Sequence, residues 1–72
     1  MDFKIEFDEK YLVDCERYGE IGKYRNTISI MDISEPGHAI ELMKFNTKEN
    51  VSFVYTCQII EEAISFVKKW AE

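Results

Sequence analysis

At 72 residues, 46% apolar and 14% aromatic, the chain is globular rather than disordered, with room for a thin core but little for a drug-sized buried pocket. Its net charge of −5 argues against nucleic-acid binding, which draws affinity from neutralising phosphates. The N-terminus has no apolar run of signal-peptide length and no later stretch is long enough to span a bilayer, so a soluble, cytoplasmic chain with no membrane partner is expected.

Upstream of residue 57 the dominant signal is alternation broken by turn chemistry. Phe3, Ile5 and Phe7 alternate with Lys4 and Glu6, predicting a strand over 3–7, and Asp8-Glu9-Lys10 can turn. Tyr11, Val13 and Cys15 alternate with Leu12, Asp14 and Glu16, predicting a strand over 11–18. The same segment also reads as a short helix capped by Asp8 and closed by Gly19, but Val13 then falls on the polar side, so strand is preferred. Gly19 and Gly22 frame a loop before a strand over 24–32. Ser34-Glu35-Pro36-Gly37 is the clearest turn, because Pro presets φ and Gly accepts the positive φ that follows. Strands over 39–45 and 51–55 follow, separated by a loop over 46–50.

From Cys57 to Glu72 the apolar residues Cys57, Ile59, Ile60, Ala63, Ile64, Phe66, Val67, Trp70 and Ala71 fall on one half of a helical wheel, and the polar ones take the other. This predicts a helix over 57–71 with Thr56 as its N-cap and Lys68 and Lys69 at the negative end of its dipole. Phe66 and Trp70 lie near one border of the arc and are expected to overhang a narrow sheet. The fold class is α+β: an antiparallel β-meander of about five short strands, with one C-terminal amphipathic helix packed on one face, in a single domain over 1–72. Strand parity puts Ile5, Val13, Cys15, Ile28, Ile30, Ile40, Leu42 and Phe53 under the helix. It puts Lys4, Glu6, Asp14, Glu16, Arg25, Thr27, Ser29, Glu41 and Ser52 in water.

Catalytic signatures are weak. His38 with Cys15 or Cys57 has neither the spacing of a nucleophile–base pair nor that of a zinc site, and the thiols read as small core residues. No catalytic residue, metal ligand or cofactor is assigned. The carboxylates Asp14 and Glu16 share a strand face open to water, which gives no desolvated acid. Lys23, Tyr24 and Arg25, with Tyr18 across the hairpin, form the one basic and aromatic cluster, an alternative reading as a nucleic-acid contact.

Parity also places Leu12, Tyr18, Met31, Ile33, Met43, Phe45 and Val54 on the outward sheet face, a larger apolar set than monomers usually expose. The candidate partner contact is therefore Leu12, Tyr18, Met31, Met43 and Phe45, with Asp14 and Glu16 as acidic neighbours. The leading reading is a small acidic, non-enzymatic protein-interaction domain with a protein partner or a second copy of itself. By analogy of size and charge alone, such chains serve as regulatory subunits or as inhibitors of the kind phages and mobile elements encode. The alternative class is a small enzyme or ligand-binding protein with its site at a dimer interface.

Overall fold

A computed structural model describes residues 2–71, and of Ala71 the backbone only; the expected wheel positions of the Ala71 and Glu72 side chains lie outside the described residues. Four strands, β1 (Phe3–Phe7), β2 (Tyr11–Tyr18), β3 (Arg25–Asp32) and β4 (Ile40–Asn46), precede one helix, α1 (Phe53–Ala71). The strands form one antiparallel sheet in the order β1-β2-β3-β4, and α1 packs on one face of it. The arrangement is the expected α+β meander with a C-terminal helix.

Each turn follows from local chemistry. Between β1 and β2, Asp8 and Glu9 both take φ 54°, and the Lys10 N–H donates to the Phe7 carbonyl at 3.1 Å. Neither residue is glycine, so the turn carries left-handed strain. After β2, Gly19 at φ 112° could not carry a side chain, because a Cβ there would lie 2.7 Å from the Lys23 carbonyl oxygen. The Pro36-Gly37 turn closes with the His38 N–H donating to the Glu35 carbonyl at 3.1 Å.

The core is Tyr11, Val13 and Cys15 of β2, Ile28 and Ile30 of β3, and Ile60, Ala63, Ile64 and Val67 of α1. The spacing 60, 63, 64, 67 is the inward stripe of a helix, and odd positions of β2 meet even positions of β3 through the pairs Val13↔Ile30 and Cys15↔Ile28. Each fully buried Val or Ile contributes about 1.5–3 kcal/mol relative to exposure, which makes this two-strand strip the centre of stability.

Two expectations are corrected at the sheet's far edge and at the helix start. Met43 and Phe45, expected outside, pair with Ile30 and Ile28 and pack against the core, whereas Ile40 and Leu42, expected inside, are exposed. The register shifts between Ile30 and Met31, so that Leu42 is an extra residue in β4. Such a bulge resets the parity of the strand, and β4 is apolar enough on both faces for either register to read well. The expected strand over 51–55 is instead the lead-in and first turn of α1. Ser52 caps the helix: its hydroxyl accepts from the Tyr55 N–H at 3.1 Å, and its carbonyl from the Thr56 N–H at 2.9 Å. Thr56, the expected cap, lies one turn inside and buried, its hydroxyl donating back to the Ser52 carbonyl at 2.9 Å. Phe53, expected under the helix from a strand, opens the helix and meets Phe3 edge-on, ring centroids 5.8 Å apart.

Candidate interaction surface

The outer face of the sheet is a polar lattice set by register. One row reads Lys4, Asp14, Ser29, Lys44, and the next reads Glu6, Leu12, Met31, Glu41. Leu12 and Met31 are therefore cross-strand neighbours, both half-buried, with an acid on either side. Asp14 is half-buried opposite Lys4, and Glu16 is exposed opposite Thr27. Tyr18 is exposed opposite Arg25 at the far end. Of the seven predicted contact residues, five share this face, while Met43 and Phe45 belong to the other. Val54 is exposed on α1, and half-buried Ile33 follows β3, its N–H donating to the Lys10 carbonyl at 2.8 Å. What remains apolar at the centre is a single pair.

The basic and aromatic tip is engaged internally. Arg25 forms an ion pair with Glu49 at 3.0 Å, and the Arg17 guanidinium lies over the Tyr24 ring, 4.5 Å from its centroid. Asn50 fastens the loop, its Oδ1 accepting from the Tyr24 N–H at 3.2 Å and its Nδ2 donating to the Gly22 carbonyl at 2.6 Å. Two of the three cluster residues, Tyr24 and Arg25, thus have protein partners.

Cys15 and Cys57 are both free thiols. Cys15 is sealed beneath α1, and burial pushes its thiol pKa up, the reverse of what activates a nucleophile. His38 is exposed in the β3–β4 turn. Among the described residues, no three of His, Cys, Asp and Glu converge as metal ligands, and no helix is long and apolar enough to cross a membrane. Beneath the start of α1 there is a small hollow of about 30 Å³, lined by Phe3, Cys15, Val51, Phe53 and Thr56 among others, with room for water but not for a drug-sized ligand.

The feature with the shape of a binding surface is on the opposite side of the sheet, where α1 overhangs β4. Asp32, Leu42, Met43, Phe66, Val67 and Trp70 line an open groove of about 430 Å³. Trp70 is 80% exposed, Phe66 58%, Leu42 39% and the neighbouring Ile40 58%. The bulge produces this cluster by turning Leu42 out of the ladder, and the width of the helix's apolar arc produces the rest. At the groove's strand side the Asp32 carboxylate accepts the Ser34 hydroxyl at 2.6 Å and the Ser34 N–H at 2.9 Å, bonds that hold its pKa below the usual range. The overhang of Phe66 and Trp70 is legible from the wheel; the turning-out of Leu42 is not, because only the bulge creates it.

No protein-family model, curated protein or solved structure matches the chain.

Proposed function

We propose that this chain is a protein-interaction domain acting by surface contact, and that its working surface is the flank where α1 overhangs β4. The observation that carries the reading is the exposure of Phe66 and Trp70 beside Ile40 and Leu42. Leaving a large apolar side chain in water forgoes about 1.5–3 kcal/mol of burial, and Leu42, Phe66 and Trp70 around one groove, with Ile40 exposed on the same strand, form the kind of patch that marks a contact site. Tryptophan is also the residue most enriched where binding energy concentrates. The outer sheet face supports the reading less, since its apolar content reduces to Leu12 and Met31, both already half-buried. In this role the domain acts as a small regulatory subunit or inhibitor, by complementarity rather than chemistry.

A photoreactive amino acid at position 70, compared with one at Glu61 on the polar side of α1, tests the reading in the cell of origin. Discrete protein adducts from position 70 that are absent from position 61 are expected. Equal labelling at both positions, or none at either, refutes it.

A further inference from the structure

The apolar arc of α1 divides into two stripes. At about 100° per residue, Ile60, Ala63, Ile64 and Val67 point at the sheet, while Phe66 and Trp70 lie about 70–110° round the helix, over the β4 groove. Further round, Glu62 and Lys69 are both exposed, close to one line along the helix and about two turns apart. We propose that this flank docks a second copy of the chain, the two α1 helices lying antiparallel across a two-fold axis beside Phe66. The proposal rests on the flank being a protein-contact surface and names its occupant.

One observation selects a second copy, and a second shows that surface is left for it to cover. The first is that the charge pattern is its own complement. An axis beside Phe66 sets Glu62 against Lys69 of the second copy, and by symmetry Lys69 against its Glu62, so both rims are satisfied by one operation. Trp70 then reaches across to the surface between Ile59 and Phe66 of the second copy. The second is area. A folded monomer of 8.5 kDa exposes about 4,650 Å² by the scaling of surface with mass, whereas this chain exposes 5353 Å². The fold thus leaves more surface uncovered than its mass requires, and Leu42, Phe66 and Trp70 are part of it. The chain is correspondingly flat, 39 × 24 × 15 Å, one sheet covered by a single helix. The bulge at Leu42 interrupts the β4 edge, so the contact runs helix to helix rather than by extension of the sheet.

Sedimentation equilibrium of the full chain from about 5 to 500 µM tests this, because dimer population follows mass action. Twice the 8.5 kDa chain mass is expected at the upper end. Phe66→Glu, with its fold checked by far-UV circular dichroism, should stay monomeric throughout. Glu62→Lys and Lys69→Glu lie at exposed positions outside the core, and each should weaken the dimer by at least about tenfold, since each places two like-charge pairs in the interface. Combined, they should restore affinity to within about threefold, because both pairs are then reversed rather than lost. A wild-type monomer at 500 µM overturns the proposal, as does a dimer untouched by Phe66→Glu or a double reversal that does not recover. A monomer whose position 70 still crosslinks to another protein overturns the second copy alone, so this proposal and the contact reading fail separately.

Discussion

Replacing Asn50 by alanine separates two effects that meet at one residue. Asn50 has φ 55°, a left-handed conformation in which a Cβ is strained. Its side chain makes the two hydrogen bonds to Tyr24 and Gly22, while its own N–H donates to the Tyr24 carbonyl at 2.7 Å and survives any substitution but proline. Losing two exposed side-chain bonds costs about 0.5 kcal/mol each, and the backbone strain in alanine adds about 1 kcal/mol. Asn50→Ala should therefore lose about 2 kcal/mol, and Asn50→Gly, which accepts the backbone without strain, about 1 kcal/mol. For a domain of this size those losses lower Tm by about 10 °C and about 5 °C. Urea denaturation followed by far-UV circular dichroism measures both variants on one scale. An alanine loss below about 0.5 kcal/mol, or alanine and glycine agreeing within about 0.3 kcal/mol, would refute the reasoning.

Two further outcomes follow from the turns and the core. Glu9→Gly should raise stability by about 0.5–1 kcal/mol in the same assay, because glycine relieves the strain at φ 54°; a loss would show that the turn is not left-handed there. Burial raises the Cys15 thiol pKa above its ordinary 9.0, so the unfolded chain ionises first and binds fewer protons as pH rises. Stability should therefore be full below about pH 8.5 and decline above pH 9, with a shallower decline in Cys15→Ala; parallel curves for the two proteins would contradict this.

The sheet was largely legible because residues 3–32 obey one rule at a time. In β2 and β3 the buried apolar residues occupy alternate positions, with only Leu12 apolar among the residues between them, and only one parity buries Val13, Cys15, Ile28 and Ile30 together. In β4 the run Leu42-Met43 breaks that rule, and alternation has no means of signalling an extra residue. The start of α1 failed for a related reason. Val51, Phe53 and Tyr55 alternate like a strand, but Ser52 sits where its hydroxyl can cap a helix, and the cap carried the more reliable signal. The proposed interaction surface depends on the first of these places alone: it takes Leu42 from the bulge, whereas Phe66 and Trp70 lie in the part of the helix that the wheel predicts. Half of it could be read from the wheel, and the other half appears only once β4 is in register.

Trp70 is the only tryptophan and is 80% exposed, so its fluorescence reports directly on whether the flank meets a second copy of the chain. Emission recorded from about 1 to 500 µM protein, with acrylamide quenching at each concentration, needs no substitution and no label. Trp70 passing from water into an apolar contact should shift the emission to shorter wavelength and lower the quenching as concentration rises. Emission and quenching that stay those of a solvated indole at every concentration would contradict the proposed self-association.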